Sequence, residues 1–103
     1  MADFMKILQQ AQEMQGRFQK LQEELQQQTV TAASGGGMVT VEANGQGTIK
    51  SIKIDPSVVN SSDVEMLEDL LLVAVTEAQK KAQESAQAEM GKLTGGLPFK
   101  LPF

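Results

Sequence analysis

The chain opens on a stretch in which apolar residues return every third or fourth position. Phe4, Ile7, Ala11, Met14, Phe18, Leu21 and Leu25 fall on one stripe of a helix, in the register of a coiled-coil seam. Glutamine fills most of the positions between them. The spacing predicts a helix over about 3–28. Asp3 complements the positive end of its dipole. Gly16 is its weak point, at about 1 kcal/mol relative to alanine.

From Thr29 the period shortens to two. "TVTAAS", "MVTVEA" and "TIKSIKI" are rich in β-branched residues, and "SGGG" (Ser34–Gly37) and "NGQG" (Asn44–Gly47) divide them. Asn-Gly is a strong hairpin signal, because both residues tolerate the positive φ of a tight turn. Val39, Val41 and Ala43 alternate cleanly onto one face. The third segment slips: Ile52 and Ile54 share a face that Ile49 does not. That slip calls for either a bulge or burial on both faces. The three segments make an antiparallel meander.

Pro56 ends the third strand, and Ser62 and Glu65 have the spacing of a capping box. A helical period then runs through Val64, Leu67, Leu71, Ala74, Ala78, Ala82 and Ala86. Leu70, Leu72, Val73 and Val75 widen the stripe of its first half, which should lie on the sheet and also meet a further surface. The second half thins to alanine on one side. Gly95 and Gly96 end the helix, and "LPFKLPF" reads as extended. The predicted fold is a single α+β domain over 1–103 in the order α-β-β-β-α. It comprises a helix (1–28), three strands (29–55), a long helix (62–94) and an extended tail (97–103).

Lengths change this picture. At 1.5 Å per residue the two helices are about 39 and 46 Å long, whereas a domain of about 100 residues is roughly 35 Å across. The helices therefore project past the sheet. The start of the first and the finish of the second should pair as an antiparallel arm, with the seam facing Ala78, Ala82 and Ala86. Open sheet edges and the apolar surplus predict a homodimer. Its expected interface is Leu67, Leu70, Leu71, Val75, Ile52 and Ile54.

Composition removes most chemistry. There is no Cys, His, Trp or Tyr, so the usual ligands of zinc, haem and iron–sulfur clusters are missing, as are cysteine nucleophiles and Ser-His-Asp triads. "SGGG" is not a phosphate loop, since no Gly-Lys-Ser/Thr follows and a strand comes next. No carboxylate pair sits in a recognisable pocket. An enzyme is the least expected class, with no cofactor, metal or small-molecule substrate. No signal peptide or apolar run of membrane-spanning length is visible, and a soluble cytoplasmic protein is expected. Asn60–Ser62 matches a glycosylation sequon but reads as a helix cap.

Net charge is −4 and the pI about 4.7, which taken alone opposes nucleic-acid binding. The charge is uneven, however. Asp63, Glu65, Glu68, Asp69 and Glu77 crowd the first half of the long helix with no cation among them. Lys80, Lys81, Lys92 and Lys100 outnumber Glu84 and Glu89 beyond it.

Several segments carry a resemblance. "MK…QAQEMQ…FQKLQEEL", "GGGMVTVEANGQG", "IDPSVV", "MLEDLLLVAVTEA" and "FKLPF", in that order over about Phe4–Phe103, resemble the YbaB/EbfC family of bacterial nucleoid-associated proteins. The resemblance implies a small cytoplasmic homodimer with paired helical arms that project like tweezers, bind double-stranded DNA, alter its conformation and organise the nucleoid. With that resemblance, the expected DNA contacts are Lys6, Arg17, Lys20, Lys80, Lys81 and Lys92. Without Tyr or Trp to stack on bases, duplex backbone or shape is the expected target. The rival expectation is a protein-interaction adaptor that docks helices through the seam and through Met5, Met14 and Met90. Salt dependence separates the two.

Overall fold

The computed structural model describes residues 2–94. Helix α1 (Ala2–Gln27) leads into strands β1 (Val30–Ser34), β2 (Val39–Ala43) and β3 (Ile49–Ile54), and helix α2 (Val64–Thr94) follows. The strands form one antiparallel sheet in the order β1-β2-β3. The α-β-β-β-α order matches the sequence expectation, with boundaries within two residues.

Of the two expectations for β3, the bulge holds. Val39 pairs with Ile54, Val41 with Ile52 and Ala43 with Ile49, and the register shifts between Glu42 and Ala43. The additional residue on β3 turns Ile49 onto the face of Ile52 and Ile54. One face of the sheet is thus apolar across all three strands: Val30 and Ala32, then Val39, Val41 and Ala43, then the three isoleucines.

Helix α2 packs over β1 and β2 rather than β3. Ala74 and Ala78, fully buried, meet Ala32, Val39, Val41 and Ala43. Their single methyl groups let the helix approach the sheet closely. Ala78 therefore belongs to the sheet core and does not face the seam of α1, as the arm expectation had it. Leu67, Leu70, Leu71 and Val75 flank this cluster half-buried.

The glycines act at two turns. Gly35, Gly36 and Gly37 have φ of +61°, +67° and +95°, a left-handed run that residues with a Cβ do not sustain. At "NGQG" the expectation is corrected. Asn44 caps the turn instead of adopting positive φ: its buried side-chain oxygen accepts the N–H groups of Gln46 (2.9 Å) and Thr48 (3.0 Å), and Gly47 carries the positive φ. Gly45 is required for proximity. Its N–H donates to the Leu25 carbonyl at 2.7 Å, in the last turn of α1, where that oxygen also accepts the Gln28 N–H at 3.2 Å. A Cβ there would lie 2.8 Å from that same oxygen. Gln46 adds hydrogen bonds to the backbone oxygen and side chain of Gln22. The hairpin thus clamps the end of α1 and sets the direction in which α1 leaves the sheet. Gly45→Ala is expected to cost about 1–3 kcal/mol through overpacking against backbone, read as a lowered melting temperature.

The connection after β3 is ordered by short side-chain turns. The Asp55 carboxylate accepts the Ser57 N–H, which holds its pKa below the usual value. The cap of α2 is Asp63, which accepts the Met66 N–H at 3.2 Å. Ser62 lies one residue too early and bonds to Asn60 instead. The capping-box expectation is therefore displaced by one residue: an aspartate at the cap position accepts the first-turn N–H directly.

The molecule measures 73 × 23 × 16 Å, with a radius of gyration of 19.8 Å, against about 13 Å for a compact chain of this length. The projection inferred from helix length is present, in a modified form. Only the C-terminal half of α1 lies on α2, with Leu21 and Leu25 buried. Phe18 and Met14 are half-buried, and Phe4 and Ile7 are each 62% exposed. The seam outruns its neighbour because α2 reaches only as far as Arg17. The expected tail, with Gly95, Gly96 and Lys100, lies outside the described residues.

Candidate nucleic-acid interface

The root of the arm brings three of the sequence-predicted cations together. Arg17 and Lys20 on α1 and Lys92 on α2 line one shallow groove with Leu21, Glu24, Glu89 and Leu93. The antiparallel contact of the helices creates it: Leu21 and Leu25 face α2 and leave the adjoining flank of α1 to Arg17, Lys20 and Glu24. Lys6 lies eleven residues before Arg17. Three turns separate them, so it falls on the same flank about 16 Å further out. Lys6, Arg17 and Lys20 have no ion-pair or hydrogen-bond partner among the described residues. Lys92 meets Glu89 at 3.4 Å, but its side chain remains 77% exposed. Three cations against two carboxylates leave this groove mildly positive in an acidic protein. The two carboxylates were readable in the sequence, since Lys20–Glu24 and Glu89–Lys92 have helical pair spacing.

Lys80 and Lys81 are placed differently. They sit at the rim of the sheet where the arm begins, between buried Ala78 and Ala82, rather than out along it. Lys80 is exposed without a partner among the described residues. The Lys81 ammonium donates to the Thr31 carbonyl at 2.8 Å and so covers one acceptor on the free edge of β1. The acidic residues Asp63, Glu65 and Asp69 line a separate groove near the start of α2, with Met66, Leu70 and Val73.

A second surface is apolar. Because α2 leaves β3 uncovered, Ile52 is 46% and Ile54 37% exposed. Gln79 reaches from α2 to the Gly47 carbonyl at the β2–β3 turn. The flank that carries Gln79, and with it Val75 and Leu72 by helical spacing, therefore faces the β3 side. Leu72 is 67% exposed there. The predicted interface set is divided by this geometry. Ile52, Ile54, Leu71 and Val75 share the β3 side. Leu67 lies on the stripe of Ala74, and Leu70 on the β1 side, where its carbonyl accepts the Ser34 hydroxyl at 2.6 Å.

No group of His, Cys, Asp or Glu among the described residues could hold a metal ion, and no described helix is long and apolar enough to cross a membrane.

Comparison with known proteins follows the same line. The profile of the YbaB/EbfC DNA-binding family matches residues 1–97. A protein of Gemmatimonas aurantiaca named as a nucleoid-associated protein is 56% identical over 103 residues, covering 98% of this chain and 99% of its own length. A nucleoid-associated protein of Thermodesulfovibrio yellowstonii is 60% identical over 99 residues, covering 96% of this chain and 85% of its own. Among solved structures, an uncharacterized protein from Helicobacter pylori superposes with a TM-score of 0.82 at 28% identity, over 89% of this chain and 97% of that one.

Proposed function

We propose, from the premise that this chain belongs to the YbaB/EbfC DNA-binding family, that it is a non-enzymatic nucleoid-associated protein that binds duplex DNA as a homodimer. The observation that carries this reading is the convergence of Arg17, Lys20 and Lys92 at the root of the arm, in line with Lys6. Exposed, largely unpaired cations on a projecting element contact phosphates without penetrating a groove. The acidic start of α2 repels the duplex and so orients it toward the arm. Localisation follows from the partner: the protein resides with the chromosome in the nucleoid. Two arms on one body hold two stretches of backbone and thereby bend or bridge the duplex.

The dimer explains the uncovered isoleucines. A second copy seated on Ile52, Ile54, Leu71, Leu72 and Val75 buries apolar surface that a single chain leaves in water. It also places two cation grooves on one particle, which doubles the local positive charge that the net charge of one chain conceals.

Titration of duplexes of equal length and unrelated sequence tests the function. Comparable affinities are expected, because phosphate contacts do not depend on sequence. Failure to bind any duplex at 50 mM salt would remove the proposal. Within the predicted contact set the two neighbouring lysines should differ. Lys80→Gln is expected to weaken binding about eightfold at 0.1 M salt, the value of one lost phosphate contact. Lys81→Gln should weaken it less, because its ammonium already serves Thr31. Lys50→Gln with Lys53→Gln on β3 should leave binding within twofold of the parent. A complete loss there would move the DNA surface to the sheet.

A further inference from the structure

The half of α1 that runs beyond α2 carries an apolar stripe that nothing covers among the described residues. Phe4, Ile7 and Ala11 are exposed and Met14 half-buried. The stripe is continuous with Leu21 and Leu25, which α2 buries. A bare helical segment of about a dozen residues is marginal in water, since most helix stability comes from packing an apolar face. Helix α2 ends at Thr94, and Lys92 and Leu93 lie in the groove with Arg17. The described end of α2 therefore lies where the stripe becomes bare, on a helix that runs antiparallel to α1.

We propose that residues 97–103 of the same chain seat along this stripe and clasp the outer half of α1. Reach permits it: nine residues extend to about 30 Å, and Phe4 to Met14 spans about 15 Å of helix. The pattern fits as well. Leu97, Phe99, Leu101 and Phe103 occupy alternate positions, so an extended segment turns all four to one side at about 6.6 Å intervals. The steps of the α1 stripe average about 5 Å. Pro98 and Pro102 fall on the other side and present no N–H that docking would leave unpaired. The tether selects this segment over a second molecule. It holds the apolar residues beside the stripe at an effective concentration on the order of millimolar, far above the micromolar concentration of another chain. A clasped arm is stiff to its tip, whereas a bare one frays from Phe4 inward.

The chain contains no cysteine, so engineered thiols report without background, and no DNA is needed. In the full-length protein, Ile7→Cys with Phe99→Cys is expected to close a disulfide within one chain at least tenfold faster than Gln9→Cys with Phe99→Cys. Gln9 lies on the opposite face of α1. Equal rates overturn the proposal. A disulfide formed mainly between two chains also overturns it and assigns the stripe to a second copy. Hydrogen exchange supplies an independent reading. Amides from Ile7 to Ala11 should exchange at least tenfold faster in full-length Phe99→Ser/Leu101→Ser than in the parent, and unchanged exchange rejects the clasp.

Discussion

Replacing Ile52 and Ile54 together by aspartate is expected to yield an 11.1 kDa monomer at micromolar concentration, where the parent is expected to sediment as a dimer. Both side chains lie on the apolar face of the sheet, yet α2 does not cover them. In a single chain they keep 46% and 37% exposure at the uncovered side of the sheet, so the substitutions cost the fold less than at a fully buried position. In the proposed dimer each isoleucine loses the burial of its remaining exposed surface, about 0.6–1.2 kcal/mol. Each new carboxylate must in addition be desolvated without a partner. Counted on both subunits, this exceeds 4 kcal/mol, a rise of more than about 10³-fold in the dissociation constant. Retained far-UV circular dichroism with a halved mass is the expected pair of readings. A doubly substituted protein that still sediments as a dimer would place the interface elsewhere.

The second large effect concerns DNA. Arg17→Gln, Lys20→Gln and Lys92→Gln combined are expected to lower duplex affinity by on the order of 10³-fold at 0.1 M salt. Each phosphate contact releases counterions with a slope of about −0.9 in log K against log salt, about eightfold per contact at that salt. A dimer that makes about three of its roughly four contacts through the two arm roots loses about 500-fold with them. Folding should survive, because these side chains are exposed and exposed pairs such as Lys92–Glu89 contribute little. Anisotropy with a labelled duplex reads the affinity, and the melting temperature checks the fold. Binding within threefold of the parent would clear the arm root of any role.

Much of this architecture is legible in the sequence because its signals are local. The heptad spacing of α1, the alternation of β2 and the turn residues between the strands each act within a few positions, and the elements appear where those signals put them. The bulge in β3 was also legible as a disturbance: Ile49 is out of phase with Ile52 and Ile54, and only the pairing decides how that is resolved. What the sequence did not reveal depends on how far elements overlap. Ala78 and Ala82 share one alanine stripe with Ala86, yet Ala78 packs on the sheet while Ala86 lines the cleft beside Gln22 and Leu25. Periodicity cannot show where a helix passes from one neighbour to the next. The same limit hid the bare half of the α1 seam, which is apolar at the same spacing as the buried half.

The candidate site was legible as a set of residue types and less so as a place. Arg17, Lys20 and Lys92 converge because the helices run antiparallel in one register, a long-range consequence of the Gly45–Leu25 hydrogen bond that fixes α1. Lys81 resembles Lys80 in sequence and differs in structure, because its side chain reaches the edge of β1, fifty residues away in the chain.

The central claim, that this acidic protein holds duplex DNA by phosphate contacts from cations on its arms, is tested most directly by the affinity of the parent protein across a salt series. About four contacts per dimer predict a slope of about −3.6 in log K against log salt, and hence a loss of affinity of about 150-fold between 50 and 200 mM. A slope near zero, with affinity unchanged over that range, would contradict it.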